Sequence, residues 1–327
     1  MSLKFWKDGI YGLMVGDALG VPVEFMKREE LNMNPVTGVR EYGTHDQPAG
    51  TWSDDSSMVL ATMDSLQRKK EIDYSDIMDR FTAWLFEADY TPFQEVFDCG
   101  ITTEQAIRRF RSGTDPICSG GCSEYDNGNG SLMRILPVCL YLIQNAEKYN
   151  STEDCIAVIH NTSALTHGHL RSKIACGLYY FMIQNLLERQ NSEKQNSVLP
   201  CLQRAVDRAF RYYEVDPECQ EELLHYKRLQ DLSAFMETPE EEIRSGGYVV
   251  DTLEAAVWCI ITTDSYETAL LKAVNLGHDT DTVGAVAGGL AGLIYGYDSI
   301  PKAWIQVLQR KDMIESLLEG MAEKQGL

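Results

Sequence analysis

The run Val283 to Gly296 constrains the fold more than any other stretch. It is apolar and dense in small residues: Gly284, Ala285, Ala287, Gly288, Gly289, Ala291 and Gly292. At 14 residues it is too short to cross a bilayer as a helix, which takes about 20 apolar residues. Its composition predicts a helix packed closely in a core. A second stretch has related character. Ile10, Leu13, Met14 and Ala18 recur at helical spacing, and Gly9, Gly12, Gly16 and Gly20 give that helix a face another backbone can approach.

Helical patterns recur along the rest of the chain. They are read over Met58–Leu66, Ile72–Glu87, a helix capped by Thr102 or Thr103, one containing Leu132, Met133 and Leu136, Thr152–Asn161 and Leu170–Leu187. They continue over Cys201–Tyr213, Glu218–Phe235, Leu253–Thr262, Asp264–Asn275 and one last helix from Pro301 through Leu317 to Met321. Glu188–Pro200 reads as a polar surface loop. Period-two runs, hairpin dipeptides between β-branched segments, and GxGxxG or Walker sequences are missing. The expected fold is all-α: a single compact multi-helix domain over residues 1–327.

Lys and Arg number 29 against 49 Asp and Glu, a formal charge of -20. Such a surface repels nucleic acid and anionic membrane. An anionic ligand would need local positive help from metal ions, helix N-termini or a few arginines. The nine cysteines follow no disulfide framework, and Cys118 and Cys122 read as ordinary loop thiols. The opening Met1–Asp8 lacks a secretory core. The expectation is a reducing cytoplasm, with no membrane and no nucleic-acid partner.

The chemistry concentrates in acids. Ser53, Asp54 and Asp55 precede one helical pattern; Asp279, Asp281 and Thr282 precede the small-residue run. Capping and complementing the helix dipole explain either cluster alone. Together, carboxylates flanked by hydroxyls form a hard-cation ligand set suited to Mg²⁺ or Mn²⁺. They pack closely only around such a countercharge. Glu24 is a lone acid between apolar residues, and Asp98 is a third acid at a helix mouth. A long Gly/Ser loop from Arg111 to Gly130 delivers Asn129, Gly130 and Ser131 to the start of a helix, where backbone N–H groups can meet an anion. His167 and His169 share an interhelical turn. Tyr248, beside Gly246 and Gly247, either presents a stacking surface or plugs the core.

In order and spacing, these motifs resemble the ADP-ribosylglycohydrolase family. The matching segments are Gly12 to Phe25, Thr51 to Asp55, Phe97 to Gly100 with Thr102 and Thr103, Gly128 to Arg134, Thr166 and His167, Gly247 to Thr252, and Asn275 to Thr282. The resemblance implies an all-α fold with two divalent cations, Mg²⁺ or Mn²⁺, at the base of a cleft. It implies hydrolysis of an N- or O-glycosidic bond at C1″ of ADP-ribose. By position, Ser53, Asp54, Asp55, Asp279, Asp281 and Thr282 would be metal ligands. Asp98, Glu24 and Asp55 would be the catalytic acids, Asp98 beside the reacting ribose and Glu24 as a gate or acid/base. Asn129, Gly130, Ser131, Met133 and His167 would contact ribose and pyrophosphate, and Tyr248 would lie near the adenine.

Two positions depart from the family pattern. Ser53 stands where Thr is common and keeps the hydroxyl. His278 stands where a second Gly is common, so a side chain there narrows the cleft, contacts substrate or adds a titrating group. The Asp98 segment points to the arginine-deconjugating bacterial branch. The expected partner is an ADP-ribosylated protein or a small ADP-ribosyl conjugate, met by a monomer. The alternatives are a non-catalytic ADP-ribose binder, a crystallin-like relative, or a same-fold hydrolase of another ribosyl substrate.

Overall fold

A computed structural model describes residues 3–190 and 197–322. The helices are α1 (Leu3–Gly20), α2 (Arg28–Met33), α3 (Asp54–Lys69), α4 (Tyr74–Glu87), α5 (Ile101–Arg111), α6 (Leu136–Gln144), α7 (Thr152–Ala164) and α8 (Leu170–Gln190). They continue as α9 (Val198–Tyr213), α10 (Pro217–Leu223), α11 (Leu232–Met236), α12 (Val249–Ile261), α13 (Tyr266–Asn275), α14 (Thr280–Tyr295), α15 (Lys302–Val307) and α16 (Lys311–Ala322). Among the described residues β-structure is limited to isolated bridges, so the all-α expectation holds. No helix there is long and apolar enough to cross a membrane.

The organising contact is α1 against α14. A Cβ on Gly12 or Gly16 would overlap the carbonyl oxygens of Gly288 and Gly284, and one on Gly20 would overlap the backbone of Asp281. The two backbones therefore touch along most of their length, which explains why both sequences are built of small residues. Both helices are buried nearly all round. α3, α6, α8, α12 and α13 pack around this pair and complete the core. A smaller apolar cluster joins α3, α4 and α5, with Met58, Phe81, Trp84 and Met133 inside it.

Four local expectations need correction. Gly100, not Thr102 or Thr103, is the N-cap of α5; Thr103 is buried in its first turn, against Gly130. Leu132 and Met133 lie in turns, because the helix begins only at Leu136, with Pro137 in its first turn. The pattern over Glu218–Phe235 divides into α10, a 3₁₀ segment and α11; Asp231 restarts the helix by accepting from the Ala234 N–H at 3.0 Å. The last helix breaks between α15 and α16, where Gln309 is drawn aside by hydrogen bonds to Ala49 and Gly50. Much of the Glu188–Pro200 loop lies outside the described residues, and its ends belong to α8 and α9.

The α1–α14 contact leaves no room for a methyl group. Gly16→Ala should lower unfolding free energy by about 1–3 kcal/mol, the usual range for overpacking. Gly38→Ala, where the added carbon meets only Trp304 at ordinary contact distance, should stay within about 0.5 kcal/mol. Urea or thermal unfolding of the two variants checks the pair.

Candidate active site and metal centre

Two helix mouths face each other across the end of α1. Ser53 caps α3, its hydroxyl oxygen accepting from the Asp55 N–H at 3.4 Å, and Asp54 and Asp55 fill the first turn. Asp279 caps α14, with Asp281 in the first turn. The positive ends of both helix dipoles thus point at the carboxylates. Asp17, near the end of α1, ties the mouths together. It is fully buried and accepts from the Ser53 N–H and Oγ, each at 3.0 Å, and from Ser56 N–H at 3.0 Å and Oγ at 2.5 Å.

The result is a cradle of two adjoining groups of acids. Asp17, Asp55 and Asp281 bring carboxylate oxygens within 4.8 Å of one another, and so do Glu24, Asp279 and Asp281. Asp281 belongs to both groups. The Ser53 and Thr282 hydroxyl oxygens lie 3.0 and 3.2 Å from Asp55 Oδ2. Asp55 Oδ1 and Asp281 Oδ2 are buried without a hydrogen-bond partner. Orphaned anionic oxygens inside a fold need a cation or a proton. An all-oxygen set of this kind fits divalent magnesium or manganese.

The proton affinities agree. Burial raises Asp17 to about 6 against the pull of its serine donors. Burial also raises Glu24 to about 7, with Asp98 and Asp279 adding to it. Asp54, Asp55 and Asp281 are pushed well above the carboxylate range by burial and then by one another. Without countercharge the cluster holds protons.

Asp98 stands on the rim, hydrogen-bonded to Asp54 and raised by burial while His45 draws it down. Glu24 is buried and paired with His45 Nε2. His45 sits at the tip of a tight turn, and its ring lies 5.0 Å from Phe97 and 5.9 Å from Phe25. Asn129 Nδ2 donates to Asp279 Oδ2 and to Thr252 Oγ1, both at 2.9 Å.

The segments meant for the nucleotide come together beside the cradle. Val249 N–H donates to Asn127 O and Asn129 N–H to Gly247 O, both at 3.0 Å, so Tyr248 and Asn129 are held in one register. The Tyr248 ring is part-buried, with the Arg171 guanidinium 6.0 Å from its centre. Arg171 is fixed by Glu124 at 3.0 Å and Glu222 at 2.7 Å. Glu124, His169 and Glu222 are themselves close enough to share a metal, but both glutamates are already paired with Arg171. His167 is buried against Gly128 and Gly130, and burial lowers it to about 3, so it is neutral. The Ser131 hydroxyl is turned inward to Ser163 at 2.9 Å, and Met133 packs in the smaller core. Gly130 to Met133 are all buried, and the Ser131 and Met133 side chains are spent on these contacts.

Sequence reasoning missed Asp17 and His45. Asp17 carried a usable signal: it is an acid inside an apolar, glycine-spaced helix, the rule that singled out Glu24. His45 had none, being one polar residue in a Gly/Pro-rich loop.

Fold and site define an all-α hydrolase with a buried carboxylate cradle able to hold divalent cations. The chain belongs to the ADP-ribosylglycohydrolase family, whose model matches residues 6–327. It is 29% identical to the ADP-ribosylarginine hydrolase Tri1 of Serratia proteamaculans, over 98% of this chain and 79% of that one. It is 31% identical to the ADP-ribosyl-[dinitrogen reductase] glycohydrolase of Rhodospirillum rubrum, over 92% of this chain and 88% of that one. A solved structure titled ADP-ribosylglycohydrolase-related protein complex superposes with a TM-score of 0.76 at 28% identity, covering 98% of each chain.

The raised carboxylates make a stability test. They hold more protons folded than unfolded between the ordinary carboxylate range and about pH 7. Stability therefore falls as pH rises through that window when cations are absent. In EDTA the melting temperature should drop from pH 5 to pH 7.5, and Mg²⁺ or Mn²⁺ should restore more at pH 7.5 than at pH 5. Scanning calorimetry at both pH values checks it.

Proposed function

We propose that the chain, acting as one domain over residues 1–327, hydrolyses the N-glycosidic bond joining C1″ of ADP-ribose to an arginine side chain. The observation that carries this reading is the convergence of Asp17, Asp55 and Asp281 with Glu24 and Asp279 in one buried cradle, with Asp98 on its rim. The Asn129 and Tyr248 segments adjoin it, where the nucleotide end of the ligand would lie. Arginine is the favoured acceptor because the Serratia relative is named for that linkage and because a carboxylate-rich rim suits a cationic leaving group.

In this reading Asp17, Glu24, Asp55, Asp279 and Asp281 hold two divalent cations, helped by Ser53, Asp54 and Thr282. When bound, the cations supply Lewis acidity toward ribose hydroxyls and make water a better nucleophile near neutral pH. Water oxygen bonds to C1″ while the C1″–N bond breaks, its electron pair passing to the guanidine nitrogen. Asp98 hands that nitrogen a proton, and Glu24 takes the proton released by water. Asn129, bonded to Asp279, fixes the ribose end of the ligand against the cradle, since placement governs such a step. The backbone of Gly130 to Met133 meets the pyrophosphate, with His167 as its neutral support. Tyr248 offers a face to the adenine.

The test is chromatographic assay of ADP-ribosyl-arginine. Wild type with Mg²⁺ or Mn²⁺ should release ADP-ribose and arginine, and EDTA should stop it. Asp98→Asn should lower kcat by about 10²–10⁴-fold, the range for lost proton transfer, while still binding ADP-ribose. Binding of ADP-ribose with no turnover of arginine-, serine- or ester-linked substrates would favour a non-catalytic binder.

A further inference from the structure

We infer that Phe25 is the acceptor-side recognition residue, a ring on which the substrate arginine's guanidinium stacks. The inference rests on the arginine-linked reading above and names the group that reads the leaving side of the bond.

Phe25 is unusual in two ways at once. Its backbone has φ 64°, a left-handed conformation that bulky side chains rarely adopt. The residue is 64% exposed, although Val23 and Glu24 just before it are buried. Tyr42 shares both features, but Phe25 is the one that directly follows Glu24 of the cradle, so its strain points to a use for the ring there. The conformation is enforced by neighbours. Phe25 N–H donates to His278 O at 2.6 Å, and His278 N–H donates to Met26 O at 2.8 Å. His278 is itself held at φ 64° and lies next to Asp279 of the cradle. The strained pair thus locks Phe25 to the lip of the acid cluster.

The ring belongs to an aromatic row. Phe25 stands edge-to-face with His45, and His45 lies against Phe97. The row runs from Glu24, which His45 holds, to Asp98, the residue after Phe97. The Asn129–Tyr248 edge of the cradle is given to the nucleotide. The Glu24–Asp98 edge is left for the group departing from C1″. There a planar cation finds carboxylates and an open ring together, the combination that binds guanidinium. Among the described residues no lysine or arginine lies over the Phe25 ring, whereas Tyr248 and Phe81 each have an arginine.

The experiment compares Phe25→Leu, which keeps apolar bulk and loses the π face, with Phe25→Trp, which keeps the face. For each, kinetics on ADP-ribosyl-arginine are set beside ADP-ribose affinity from titration calorimetry. Phe25→Leu should lose about tenfold in kcat/KM, mainly through KM, with ADP-ribose affinity within about twofold of wild type. Phe25→Trp should return kcat/KM to near the wild-type value. Equal losses in kcat/KM and ADP-ribose affinity would overturn the inference alone, as would an unaffected Phe25→Leu. A wild type inert toward ADP-ribosyl-arginine would overturn both the proposed function and this inference.

Discussion

Everything in the site hangs on two backbones touching. α1 and α14 meet glycine to glycine, and no pair of ordinary helices could place the end of one so near the start of the other. That approach brings Asp17 beside Asp281. Once Asp17 also gathers Ser53 and Ser56, the mouth of α3 is drawn into the same place. The cradle is therefore a product of packing in the deepest part of the core, which is why its carboxylates are so thoroughly desolvated.

Desolvation then decides the chemistry. Buried carboxylates a few ångströms apart oppose one another's ionisation, and their protons are the default countercharge. Divalent cations, where the cradle holds them, would take the place of those protons. The two helix N-termini lower the cost of keeping so much negative charge together. The rim is tied differently from the base: Asp98 stands against Asp54, and Glu24 is paired with His45. In the proposed reading, proton exchange falls to these two rim groups, Glu24 also facing the cation position it shares with Asp279 and Asp281.

Much of this was legible in the sequence, for identifiable reasons. Asp54, Asp55, Asp279 and Asp281 stood out because adjacent acids with hydroxyls at helix mouths form a local pattern. The small-residue run gave away its burial, though not its partner. Asp17 carried a local signal as an acid in an apolar helix, but its place beside Asp281 depends on the register of α1 on α14, a relation between residues 264 positions apart. The inward turn of Ser131 and Met133 was equally hidden, since helix and turn expose different faces of the same residues. The broken helices at 224–230 and 308–310 kept helical periodicity while long-range hydrogen bonds and a local cap set where the chain turned. His278, which departs from the family pattern, keeps the left-handed backbone that glycine would supply more easily, and its N–H and C=O serve the Phe25 lip.

The central claim is that the buried carboxylates form one two-cation centre pivoting on Asp281. The most direct measurement is anomalous diffraction from crystals grown with Mn²⁺. Two peaks are predicted, one among Asp17, Asp55 and Asp281 and the other among Glu24, Asp279 and Asp281. Manganese absent from the cradle, or found only at Glu124, His169 and Glu222, would contradict the account.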